Sequence, residues 1–79
     1  MEELLDRITV DPDVLVGKPV IRGTRIPVYL IIGLVANGFT TKEIIKEYPR
    51  LKEEDIKAAL LYASKLVESE VMVTLKKTK

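Results

Sequence analysis

The sequence predicts a small α+β domain, mostly α, with short β segments at the N-terminus, a three-helix body and a short C-terminal strand. Three observations predict it. The chain has 79 residues, enough for one domain. Apolar residues alternate with others towards both ends, at Ile8-Thr9-Val10 and again at Val71, Val73 and Leu75, the period of a strand. Between them, residues 27–69 carry apolar residues at helical spacing, punctuated by Gly38, Thr40 and Pro49. Residues 1–75 are therefore read as a single domain and Lys76-Lys77-Thr78-Lys79 as a basic tail, 76–79.

Taken in order, residues 1–6 (MEELLD) are an acidic opening with room for one helical turn. Ile8–Val10 is the first strand. Asp11-Pro12-Asp13 is turn chemistry, because Pro fixes φ and Asp side chains bond nearby backbone N–H groups. Val20 to Ile26 reads as extended, with Gly23 as a bulge or a tight turn, and can pair with residues 8–10. Two short strands are marginal in water, so a helix layer or a second sheet must cover them.

Pro27 suits the first turn of a helix, where its missing N–H would be unpaired anyway. Val28 to Asn37 is the helix body and Gly38 closes it. This helix is apolar almost all round, which predicts burial on more than one side. A domain this small buries only roughly 60% of its unfolded surface, so a partner chain is one source of that burial. The alternative is that the strands and other helices cover it. The expected homodimer is buried through this helix, the β segments or both, with Tyr29, Ile31, Ile32 and Val35 on the helix and Val71 and Val73 on the C-terminal strand.

Thr40-Thr41-Lys42-Glu43 matches a capping box, with Thr40 as N-cap and Glu43 three residues later. Ile44, Ile45 and Tyr48 face inward, Pro49 ends this short helix, and Leu51 plugs the turn. The third helix runs from near Lys52 to about Ser69, with Ile56, Ala59, Leu60, Ala63, Leu66 and Val67 at helical spacing. Glu53, Glu54 and Asp55 occupy its first turn, where the helix dipole favours negative charge. Lys52 stands where Ser or Thr is the usual cap. Helix, short helix, turn, longer helix is the trihelical layout of helix-turn-helix and homeodomain-like folds.

Composition excludes several function classes. Lys and Arg total 13 against 12 Asp and Glu, a net charge of +1, far from the excess of a strong nucleic-acid binder. No Cys and no His occur, removing disulfides, ordinary zinc sites and the commonest general base. With no phosphate-cradling glycine loop either, the chain reads as a non-enzyme with no cofactor. Its longest apolar run, Ile26 to Ala36, is broken by Pro27 and Gly33 and too short to span a bilayer. The N-terminus lacks a signal pattern, so a cytoplasmic, soluble protein with no membrane association is expected.

Chemistry concentrates in Gly17-Lys18-Pro19-Val20-Ile21-Arg22-Gly23-Thr24-Arg25-Ile26-Pro27, which holds two of the four glycines and two of the four prolines. No acid occurs between Asp13 and Glu43, while Lys18, Arg22, Arg25 and Lys42 do. A bulge at Gly23 would bring Arg22 and Arg25 to one face, and Arg grips phosphate, guanine or carboxylate in bidentate fashion. Three readings stay open: a basic ribbon on DNA, intrachain salt bridges to Asp11 or Asp13, or contact with an acidic protein partner. If the third helix entered a major groove, Lys52 and Lys57 would assist it, but Glu53, Glu54 and Asp55 would face a polyanion. The candidate nucleic-acid or partner-binding residues are thus Lys18, Arg22, Arg25, Lys52 and Lys57.

The run GKPVIRGTRIPV, preceded by Arg7-Ile8-Thr9-Val10-Asp11-Pro12, closely resembles the signature of the domain-of-unknown-function 433 (DUF433) family. The resemblance extends from about Asp6 to about Ala63. Members are small prokaryotic proteins with a helix-turn-helix-like body, and many look like antitoxins encoded beside a PIN-like ribonuclease toxin. The resemblance implies an antitoxin that binds a PIN-like toxin, with its own promoter DNA as a further ligand. The alternative is a dimeric protein-interaction module that binds no DNA.

Overall fold

The computed structural model describes residues 2–68. The expected strand with Val71 and Val73 and the basic tail lie outside the described residues. Within them the fold is α+β and mostly helical: α1 (Glu2–Leu5), β1 (Ile8–Val10), β2 (Pro19–Ile21), α2 (Val28–Ala36), α3 (Thr41–Glu47) and α4 (Glu53–Glu68).

The acidic opening forms one helical turn, α1, and the chain enters β1 through a bond from the Arg7 N–H to the Leu4 carbonyl (3.0 Å). β1 and β2 pair antiparallel, with Ile8 opposite Ile21, Thr9 opposite Val20 and Val10 opposite Pro19. Pro19 has no N–H to give and starts its strand, a position that tolerates proline. In the connection, Asp11 Oδ1 accepts from the Asp13 N–H (2.9 Å), the expected side-chain turn. Leu15, Val16 and Gly17 then all take positive φ, at 50°, 56° and 80°. Only glycine adopts this region freely. Val16 is β-branched, held there with its side chain almost wholly in solvent, 92% exposed, so the strain earns no burial within the protomer.

Of the two expectations for Gly23 within Val20 to Ile26, the tight turn forms and the bulge does not: β2 ends at Ile21 and the chain reverses over residues 22–25. Gly23 sits at φ 81°. Thr24 explains why the reversal is tight: its hydroxyl donates to the Ile21 carbonyl (2.7 Å) and accepts from the Ile26 N–H (3.0 Å). The Ile21 N–H donates across the turn to the Ile26 carbonyl (3.0 Å), and Val20 bridges Pro27. Pro27 is the extended N-cap of α2, one position ahead of the helix proper.

α3 is capped as its sequence requires. The Thr40 hydroxyl accepts from the Glu43 N–H (3.1 Å), and the Glu43 carboxylate accepts from the Thr40 N–H (2.8 Å). α4 begins without a Ser or Thr cap, and Asp55 compensates: its Oδ2 accepts from the Lys52 N–H (2.8 Å). The core forms where α2, α3, α4 and the hairpin meet. Ile21, Ile31, Ile44 and Ile56 are all but inaccessible there, with Leu51 sealing the α3–α4 turn; each such side chain contributes about 1.5–3 kcal/mol by leaving water. Ala58 and Ala59 are fully buried, small residues that let α4 lie close to its neighbours. Ile31, expected at a dimer interface, is instead 0% exposed inside its own protomer, so it has no surface to offer a second chain. Tyr29, one residue earlier, points out and is 61% exposed.

Candidate partner-binding site

The reversal at residues 22–25 is fastened on two sides. On one, the Arg22 N–H donates to the Arg7 carbonyl (2.7 Å) and Arg22 Nε donates to the Asp6 carbonyl (2.7 Å). On the other, Arg50 Nη2 donates to the Gly23 carbonyl (2.7 Å), reaching in from the loop between α3 and α4. The turn backbone is therefore fixed by the α1–β1 link, by its own threonine and by Arg50. Three guanidinium groups, from Arg22, Arg25 and Arg50, are carried at this exposed end of β2. Arg25 has no hydrogen-bond or ion-pair partner among the described residues, and Arg22 bonds through Nε, its Nη groups making no hydrogen bond among the described residues.

Beneath the turn lies the one salt bridge among the described residues. Arg7 Nη1 donates to Asp55 Oδ1 at 2.9 Å, with the Asp55 side chain 7% exposed and Arg7 38%. With Glu3, Asp6 and Arg22 this pair lines an open cleft of about 360 Å³. Asp55 does two jobs: one oxygen caps α4 and the other holds the N-terminal segment against it. Asp55 does serve the N-terminus of α4 as its position in the first turn suggests, and the ion pair with Arg7 is an addition the sequence did not show. It is buried and paired, whereas Glu53 and Glu54 remain exposed.

The five cations named from sequence do not form one patch. Arg22 and Arg25 lie together on the turn. Lys52 is exposed at the start of α4, two residues after Arg50. Lys57 sits on the solvent face of α4, away from buried Ile56 and Ala59. Lys18 is at the opposite end of β2, roughly 13 Å of extended chain from Arg22, with its Nζ 5.8 Å from the centre of the Tyr29 ring. Salt bridges from the arginines to Asp11 or Asp13 do not form: both acids are exposed, and Asp11 bonds the Asp13 backbone instead. Sequence reading missed Arg7, Arg50 and the pairing of Asp55. Only the Asp55 cap left a signal, an acid at the third helical position of a helix with no Ser or Thr before it.

Beside Lys18 the surface changes character. Tyr29, Ile32 and Gly33 of α2 and Tyr62, Ala63 and Leu66 of α4 line an apolar groove of about 490 Å³. Val35, expected beside Ile32 at a dimer interface, packs half-buried against the core. Among the described residues no group of three or more His, Cys, Asp or Glu is placed to hold a metal ion, and no helix is long and apolar enough to cross a membrane.

Residues 8–63 match the family described as "Protein of unknown function (DUF433)". The chain is 43% identical over 56 residues to an uncharacterized protein, y4eO, of Sinorhizobium fredii, covering 71% of this chain but 25% of that protein. A shorter match, 67% identical over 24 residues, links it to an uncharacterized protein of Archaeoglobus fulgidus, covering 30% of this chain and 67% of the other. The crystal structure of a DUF433 member protein from Anabaena variabilis superimposes with a TM-score of 0.75 at 35% identity, over 86% of this chain and 67% of that one.

Proposed function

The chain belongs to the DUF433 family, and from that premise we propose that it is the antitoxin of a toxin–antitoxin pair, a cytoplasmic homodimer that holds a PIN-like ribonuclease through its arginine turn. The family resemblance supplies the toxin. The observation that supports the turn as the contact is Arg25, exposed and without a partner among the described residues, on a backbone fixed by Arg50, Thr24 and the Arg22 N–H. A nuclease that gathers carboxylates in its active site presents the charge such a cation seeks, and a preformed turn loses little entropy on docking. The reading is non-catalytic, in keeping with a chain that has neither His nor Cys.

Promoter DNA is the further ligand in this reading. The order of α2, α3 and α4 supports a helix-turn-helix, homeodomain-like body, and Lys52 and Lys57 would flank the groove-entering end of α4. The exposed Glu53 and Glu54 at that end favour the second reading, a dimeric protein-interaction module that leaves DNA alone. Titration of the purified protein with the ribonuclease encoded beside it tests the first proposal. Arg25→Ala is expected to keep the fold and weaken the complex by about tenfold or more, as loss of a charge-paired interface arginine does. Complex formation that ignores both Arg22→Ala and Arg25→Ala would sink the turn as the contact. Upstream duplex against scrambled duplex, at low and physiological salt, decides the DNA question: preference that survives salt supports promoter binding, and weak salt-sensitive binding to both removes it.

A further inference from the structure

The three arginines at the end of β2 are held without being neutralised. Arg7, beneath them, sets its charge against the Asp55 carboxylate. Arg22 and Arg50 instead give one side-chain N–H each to a main-chain carbonyl, of Asp6 and of Gly23 (both 2.7 Å). A carbonyl orients a guanidinium and leaves its positive charge in place. Arg25 bonds to nothing among the described residues. The main-chain N–H groups of Gly23 and Arg25, on the same exposed turn, are also unpaired among the described residues. The turn thus gathers three positive charges and spare donors, and none of the three guanidiniums is paired with a carboxylate among the described residues.

We propose that this turn is a receptor for a single phosphate group, carried by inorganic phosphate or a small phosphomonoester and gripped by Arg22, Arg25 and Arg50. The proposal uses the turn of the preceding reading and does not rest on the toxin or on DNA. Charge and acceptor number select the ligand. A carboxylate brings one negative charge and two oxygens. A phosphate monoester brings a charge of about −1.5 to −2 at neutral pH and three strong acceptor oxygens, enough to serve three guanidiniums at once, and the planar Arg fork matches its geometry. The surroundings select a single group over a chain of them. Glu3 and Asp6 line the cleft that Arg22 also lines, and exposed Glu53 and Glu54 follow Arg50 and Lys52 at the start of α4. One phosphate needs only the arginines, whereas an extended polyanion would also pass over these acids. The turn is already fixed by Thr24, by Arg50 and by the Arg22 N–H, so little ordering is left for the ligand to impose.

Amide NMR on the isotope-labelled free protein provides the test, with inorganic phosphate, glycerol phosphate, acetate and chloride titrated at matched pH and ionic strength. Both phosphates are expected to shift the Gly23 and Arg25 amide resonances saturably, acetate to bind more weakly and chloride to do nothing. Arg25→Ala, which removes no bond the protein makes among its described residues, and Arg50→Ala are each expected to lower phosphate affinity by about tenfold or more, as loss of a charged hydrogen bond does. Arg25→Lys keeps the charge without the fork and is expected to fall between. Lys65→Ala, at an exposed position towards the other end of α4, is expected to leave the affinity unchanged. Inorganic phosphate binding without the ester supports the site with the free ion as its source. Shifts that follow ionic strength alone overturn the proposal, as does acetate binding as tightly as phosphate, or a phosphate affinity that neither Arg25→Ala nor Arg50→Ala changes. A toxin that ignores the turn fails the preceding reading and leaves this titration untouched.

Discussion

The two ends of β2 are finished in different ways. At the Arg22 end the geometry is set by directional bonds: four main-chain carbonyls, of Asp6, Arg7, Ile21 and Gly23, accept from Arg22, Thr24 and Arg50. At the Lys18 end the geometry is set by apolar packing, with Tyr29, Ile32 and Tyr62 among the residues that line a groove. Hydrogen bonds fix a few atoms wherever they occur, even in water-washed loops. Apolar packing fixes position only when every side is covered. One strand thus joins a region fixed by hydrogen bonds to a region bounded by an apolar groove.

Substitutions at four positions separate these ends, and the largest effect comes from removing what they share. Ile44→Ala is expected to cost about 2–5 kcal/mol by opening a cavity under both, read as a lower urea midpoint; a loss under about 1 kcal/mol would mean the core relaxes around the hole. Asp55→Ala strikes the arginine end alone. It strips Arg7 of its partner and Lys52 of its cap, an expected loss of about 2–3 kcal/mol, kept below the buried-pair maximum because Arg7 is partly hydrated. Asp55→Asn, which still accepts from the Lys52 N–H, is expected to lose less; equal losses would show that the cap contributes nothing. Thr24→Val is expected to cost about 1 kcal/mol and to expose the Ile26 amide to faster hydrogen exchange. Unchanged exchange there would mean Arg50 holds the turn unaided. Val16→Gly is the smallest change and the one of opposite sign, a gain of about 0.5–1 kcal/mol from released backbone strain. A fall in melting temperature would show that Val16 is held by something the protomer buries.

Local chemistry was legible in the sequence and distant pairing was not. The capping box at Thr40 and Glu43, strand β1 and the extent of α2 follow from residues within one turn of each other. Arg50 and Gly23 stand 27 residues apart and Arg7 and Asp55 stand 48 apart, and no periodicity encodes such meetings. The inward face of α2 was equally hidden, because a helix apolar all round has no preferred side by pattern. Ile31 was grouped with Tyr29 although one is sealed and the other open. The left-handed turn was invisible for a third reason: Val16 is among the residues least suited to it, so propensity argued against what the fold imposes.

The Arg7–Asp55 bond also bears on the order of events when the chain folds. α2, α3 and α4 follow one another closely and can assemble through near neighbours, whereas this bond must close a loop of 48 residues, and loop closure is repaid only once its contacts form. Loop-closure entropy thus predicts that the hairpin docks late, on a helical body already in place. Weakening the bond with Arg7→Gln should leave the refolding rate nearly unchanged and speed unfolding. In a chevron plot the left arm would stay and the right arm would rise; movement of the left arm instead would put the hairpin in the nucleus.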